Sequence, residues 1–117
     1  MKKHLLDLTI TENRFIGESH ILMKLTFNEK LPEVVPGQFV EVRIDHTPTV
    51  FLRRPISINF VDYKTNELWL LIQLVGDGTN HLSTLKAGDV VNIIMPLGNG
   101  FSKPTNARDK VLLVGGG

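Results

Sequence analysis

The chain has 117 residues, a formal net charge of +1, 42% hydrophobic residues and no cysteine. That length makes one domain with a real core, the charge is near zero, and nothing in the chain resembles a nucleic-acid patch or a polybasic membrane segment. Without thiols these residues hold no disulfide, thiolate zinc site or iron–sulfur cluster, which suits a cytoplasmic protein, and no apolar run reaches the about 20 residues of a membrane span or the core of a signal peptide.

The pattern is nearly all β. Leu6, Leu8 and Ile10 alternate with polar or smaller neighbours and predict a first strand. Gly17-Glu18-Ser19 reads as a turn. Ile21, Met23, Leu25 and Phe27 then share one face, with Leu22, Lys24, Thr26 and Asn28 on the other, the period of two of a half-buried strand. Pro36-Gly37 is a turn, and Phe39 to Ile44 is the next strand. Residues 51–60 form a strand carrying two arginines, and residues 62–66 a hairpin connection. Leu68 to Val75 is apolar on both faces except for Gln73, so cover is expected on both sides, the barrel interior on one and a lid, ligand or second domain on the other. Gly76-Asp77-Gly78-Thr79 leads into a short helix over 79–85, with Leu82 and Leu85 inward and an end before Gly88. Val90 to Met95 is another strand, 96–100 a loop, and 102–109 a polar linker. Residues 110–117 read as a buried parallel-type strand running into glycines, the way a nucleotide-binding βαβ unit begins, with a flexible glycine tail as the alternative.

The stretch Leu52-Arg53-Arg54-Pro55-Ile56-Ser57-Ile58 is the most informative. Holding two guanidiniums still costs roughly 2 kcal/mol of side-chain entropy each, and Pro55 removes a ladder hydrogen bond. Such a stretch is either a charged edge that resists aggregation or a groove for something planar and anionic. Gly76-x-Gly78-Thr79 at a helix start is either a turn with a threonine cap or a phosphate site. The short hairpin makes the arginine strand and Leu68–Val75 neighbours, so the arginines and the helix start could flank one groove, suited to a pyrophosphate, with the apolar strand as a wall for a flat ring system. His4, His20, His46 and His81 have no metal-ligand spacing. The sequence shows no nucleophile pattern and no paired carboxylates, so neither catalytic side chains nor metal ligands are expected. Trp69 reads as packing in the core or at a domain interface.

Pro36-Gly37-Gln38-Phe39-Val40, Arg54-Pro55-Ile56-Ser57, Gly76-x-Gly78-Thr79, Leu85-x-x-Gly88-Asp89 and Pro96-Leu97-Gly98-x-Gly100-Phe101 stand in the order found in the ferredoxin reductase-like flavoproteins. Over about residues 5–117 the chain resembles most the electron-transfer subunits of dihydroorotate dehydrogenase B, the doubled arginine being the strongest clue to that branch. The resemblance implies an all-β fold, a six-stranded antiparallel Greek-key barrel with one short helix, that binds FAD. In it Arg54 takes the place of the pyrophosphate-binding arginine, and Ser57 that of the small hydroxyl near flavin N5. Pro55 and Ile56 line the isoalloxazine, Leu71, Ile72 and Gln73 match the flavin-contacting stretch, and Gly78 and Thr79 match the helix-start phosphate site. Ile56 stands where many relatives have tyrosine, so a stacked tyrosine does not carry over. Arg53 has no family role and is expected at a surface or subunit contact.

The implied organisation is an FAD-binding barrel over 1–101, a linker over 102–109 and, at 110–117, the first strand and glycine-rich turn of an NAD-binding domain that is otherwise missing. The longer parent would take hydride from NADH onto FAD. It would pass single electrons through a [2Fe-2S] cluster to the FMN of a catalytic partner subunit, in a heterotetramer that oxidises dihydroorotate in de novo pyrimidine (UMP) biosynthesis. The fragment alone is expected to be inactive in that overall reaction. Two other readings stay open: the barrel of another NAD(P)H–flavin electron-transfer subunit, of hydrogenase or ferredoxin-NADP reductase type, and a cofactor-free β-barrel interaction module.

Overall fold

Period-two alternation carries the architecture, because it gives each strand one apolar face that a curled sheet can turn inward. The computed structural model describes residues 2–116. Its elements are β1 (His4–Ile16), β2 (His20–Thr26), β3 (Phe39–Val42), β4 (Arg54–Ser57), β5 (Phe60–Asp62), β6 (Glu67–Gln73), α1 (Asp77–Leu82) and β7 (Val90–Leu97). All pairings are antiparallel, in the order β4-β3-β7-β1-β2-β6-β5. The inward faces supply the core: Leu8 and Ile10 from β1, Ile21, Met23 and Leu25 from β2, Val40 and Val42 from β3, Leu68, Leu70 and Ile72 from β6, Val91, Ile93 and Met95 from β7. Leu82 of α1 plugs the same core, and Asn13 Nδ2 tethers the helix by donating to Leu82 O (3.0 Å) and Leu85 O (2.9 Å).

The all-β fold with one short helix is as expected, but the strand count is seven rather than six. The expected strand over 51–60 begins only at Arg54 and breaks after Ser57. Ile58 N–H donates to Gln38 O at one end of the sheet (3.1 Å), and Asn59 N–H donates to Trp69 O at the other (3.0 Å). Successive amides of an extended chain point to opposite sides, so these two residues hand the chain from β3 to β6. Residues 54–62 therefore run along both ends of the sheet and draw them together. Counted as one bent strand, they restore the expected six.

Other boundaries also move. β1 runs on to Ile16, past a register shift between Ile10 and Glu12. β3 stops at Val42 instead of Ile44, and β7 continues to Leu97. α1 covers 77–82 rather than 79–85, with extended Gly76 before it, so Thr79 lies inside the first turn. The expected strand at 110–117 is not formed over 110–116, and Gly117 lies outside the described residues. A parallel strand exists only by pairing, and among the described residues no strand pairs with Val111–Val114, whose side chains are all exposed.

Candidate functional site

The handover at residues 58–59 leaves an open seam, whose banks follow from hydrogen-bond parity. Leu74 N–H donates to Ser19 O (2.8 Å), in register with the β2–β6 ladder. The peptide groups of Leu70 and Ile72 thus face β2, and those of Trp69, Leu71 and Gln73 face away from it. Trp69 O takes the Asn59 amide, but β5 pairs with β6 only as far as Trp69, so among the described residues no strand pairs with Leu71 or Gln73 on that side. On the opposite bank the Ile58–Gln38 bond continues the β3–β4 register, which turns the peptides of Arg54 and Ile56 toward β3. Those of Pro55 and Ser57 face the seam. Pro55 therefore sacrifices no ladder bond, which is why an edge strand tolerates it there.

Side chains follow the same alternation. Arg54 and Ile56 lie opposite buried Val42 and Val40 and share their inner face, while Pro55 and Ser57 are exposed on the outer face. At the mouth of the seam Arg54 meets α1. A Cβ on Gly78 would stand 2.9 Å from Arg54 Nε and 3.3 Å from its Cγ, so only glycine lets the guanidinium lie on the first helical turn. Arg54 Nη1 donates to Leu52 O (2.9 Å), and among the described residues no carboxylate forms an ion pair with Arg54. Its remaining donors thus stand beside the first turn of α1, where helix amides and dipole also favour an anion.

The sequence-predicted residues are therefore mostly assembled. Arg54 and Gly78 touch; Leu71 and Gln73 are exposed on one bank, Pro55 and Ser57 on the other. Ile72 and Thr79 stand apart. Ile72 is 1% exposed, inside the core, and its peptide bonds to β2, so its side chain points away from the seam. Thr79 is buried, and its hydroxyl is already engaged. Oγ1 accepts from Val75 N–H (2.9 Å) and Gly76 N–H (3.2 Å) and donates to Gly76 O (3.2 Å), so it shapes the turn that presents Gly78. Arg53 is half-buried on the outer face, where it bonds to Asn92 and to Glu41 O within the same sheet. The outer face of β6 is only partly covered, with Trp69 edge-on to Phe60 (5.2 Å between centroids) and Lys24 Nζ 4.2 Å above its ring.

Sequence reasoning passed over Phe51, Leu52 and Val75, which are 90%, 75% and 74% exposed. They stand just before the arginines and just before Gly76, and two apolar residues in front of paired arginines were the available signal. His81 lines a cavity of ≈ 30 Å³ with Arg43, Asp45 and His46 rather than with Arg54. There the Asp45 hydrogen bond (Nε–Oδ1 2.7 Å) raises the pKa of Arg43. Among the described residues no group of His, Asp or Glu is arranged to hold a metal, and no helix is long and apolar enough to cross a membrane.

The motifs at residues 36–40 and 96–101 lock to each other. Phe101 N–H donates to Pro36 O (2.9 Å), and Gln38 Nε2 donates to Gly98 O (3.0 Å). Gly37 has φ 101, and a Cβ there would stand 3.0 Å from Phe101 N. The clasp anchors the entry to β3 and, through Gln38 O, the Ile58 end of the seam.

No protein-family model matches the chain. The electron transfer subunit of dihydroorotate dehydrogenase B (NAD(+)) from Fusobacterium nucleatum subsp. nucleatum is 36% identical over 112 residues, 95% of this chain and 43% of that protein. The subunit of the same name from Desulforamulus reducens is 49% identical over 82 residues, 70% of this chain and 31% of that protein. Among solved structures, the NADH-dependent reduced ferredoxin-NADP oxidoreductase, studied for flavin-based electron bifurcation, aligns at 25% identity with a TM-score of 0.71, covering 81% of this chain and 34% of that one. The chain thus spans less than half the length of these relatives.

Proposed function

The chain belongs to the family of the dihydroorotate dehydrogenase B electron transfer subunits, and on that premise we propose that it forms the part of such a subunit that holds FAD. The observation that carries this is Arg54, a guanidinium with no carboxylate partner among the described residues, laid against Gly78 at the end of an unpaired seam. The donor set fits a flavin dinucleotide. Arg54 and the first turn of α1 would bind the pyrophosphate, since charge-assisted hydrogen bonds contribute about 1.5–3 kcal/mol each. The seam-facing peptides of Ser57, Leu71 and Gln73 would bond the polar edge of the ring system, and Pro55, Ile56 and Leu71 would pack against its apolar surface. Ser57 would place its hydroxyl near N5.

Bound FAD supplies the redox chemistry, taking a hydride and releasing electrons singly. The chain's residues bind and orient it and keep one side of the ring from water. With no cysteine here, a [2Fe-2S] cluster would take its ligands from outside these residues. We assign oxidation of NADH, electron delivery to the FMN of a catalytic subunit, the heterotetramer, the place in pyrimidine biosynthesis and the cytoplasmic location to the longer protein. Residues 102–109 would link this barrel to an NAD-binding domain that begins near 110.

Titration with FAD, followed by absorbance and flavin fluorescence, tests the site. Saturable binding that weakens about 10- to 100-fold in Arg54→Ala, the weight of one charge-assisted bond, supports it. Equal affinity removes Arg54 from the site, and no binding by either protein favours a cofactor-free barrel or one needing the rest of its subunit. A second reading, another NAD(P)H–flavin electron-transfer subunit, is favoured by the 25% match to the ferredoxin-NADP oxidoreductase. Assay of the full-length protein with each acceptor separates the two.

A further inference from the structure

We propose that Arg53 is a positioning residue for the anion site, acting through a polar ladder on the outer face of the sheet. The proposal rests on the reading of Arg54 as the anion-binding residue. Arg53 Nη2 donates to Asn92 Oδ1, and Nη1 donates to Asn92 O (3.2 Å) and, more weakly, to Glu41 O (3.4 Å). Asn92 is buried, and its Nδ2 donates to Asp7 Oδ1 (2.7 Å). The ladder thus crosses four strands that are consecutive in the sheet: from the entry of β4, over Glu41 of β3 and Asn92 of β7, to Asp7 of β1.

Its consequence follows from alternation. Neighbouring residues of an extended chain point to opposite faces, so a guanidinium pinned outside at 53 directs its neighbour inside at 54. The preceding loop is anchored in the core by Val50, but Phe51 and Leu52, which separate it from Arg53, are exposed. Downstream, β4 has only four residues, and among the described residues no strand pairs with it on its seam side. A one-residue slip of so short an edge strand would exchange its two faces and take Arg54 away from Gly78. The two donors to Asn92 act against that slip, because the amide is itself held by Asp7.

Arg53→Met keeps the stem and removes the donors. It should weaken FAD binding about tenfold, with Arg54 untouched. In proton NMR the Overhauser contact between the Arg54 side chain and the Gly78 α-protons should disappear, a readout that needs no flavin. Arg53→Lys, with one donor to Asn92 Oδ1, should recover part of both. Arg53→Met/Arg54→Ala should bind FAD no more weakly than Arg54→Ala, since a positioning residue acts only through the residue it positions. If Arg53→Met does not fold, Asn92→Leu reads the same ladder at its centre. An Overhauser contact kept in Arg53→Met or Asn92→Leu, or losses of affinity that add in the double variant, would overturn the proposal. Arg54→Ala that binds FAD as tightly as wild type would instead remove the flavin reading of Arg54, and with that result, or with wild-type protein that binds no FAD, the NMR contact alone decides the role of Arg53.

Discussion

Arg53 and Arg54 are adjacent, carry the same group, and end on opposite faces of one sheet. The Arg53 fork is committed to Asn92 and Glu41 O, while Arg54 makes one bond, to Leu52 O, and lies on a glycine with donors to spare. The same contrast runs through β6, where Ile72 is sealed in the core and its neighbours Leu71 and Gln73 are exposed at the seam. In both places one residue of a pair maintains the fold and the next is left available. An edge strand next to an unpaired gap can serve both purposes, because its two faces meet different surroundings.

The contrast can be broken most severely at Ile72. Ile72→Ala should lower unfolding free energy by about 2–4 kcal/mol in urea denaturation, through lost burial and a cavity. A loss under 1 kcal/mol would mean that Ile72 is not in the core. Arg54→Ala should do the reverse, with FAD affinity down about 10- to 100-fold and a thermal midpoint close to wild type. Gly78→Ala places a methyl where Arg54 Nε now lies, so the guanidinium must shift. FAD binding by fluorescence titration should fall about fivefold, by less than in Arg54→Ala, since a flexible side chain can yield. Lys24→Ala marks the low end. Lys24 covers Trp69 on the outer face and pairs with Glu12 at 3.3 Å, so about 0.5–1 kcal/mol of stability should be lost and FAD affinity retained. A marked loss of FAD affinity in Lys24→Ala would extend the site onto the outer face of β6.

Much of the barrel was legible because period-two alternation is a local signal. It located β1, β2, β3, β6 and β7, and in β2 it named Ile21, Met23 and Leu25 as one buried face, though Leu22 on the other face is buried too and Phe27 only partly so. The break at Ile58–Asn59 was not legible, since nothing local says that one residue bonds to β3 and the next to β6. The helix start was misplaced by two residues because Thr79 looks like a cap, whereas its hydroxyl reaches back to the amides of residues 75 and 76. The inward direction of Ile72 was not legible either, because a strand apolar on both faces does not announce which residue turns inward.

The amino-acid order by itself determined the β class, the single short helix, the chemistry available at Arg54 and Gly78, and the absence of thiolate ligands, all properties of residue type and short-range spacing. Only the tertiary structure decided which arginine is free. That choice depends on Asn92 and Asp7, 39 and 85 residues apart along the chain from their respective partners Arg53 and Asn92, being brought together on one face by strand order. Side-chain direction alternates locally, but which face becomes the inside is set by the curl of the whole sheet.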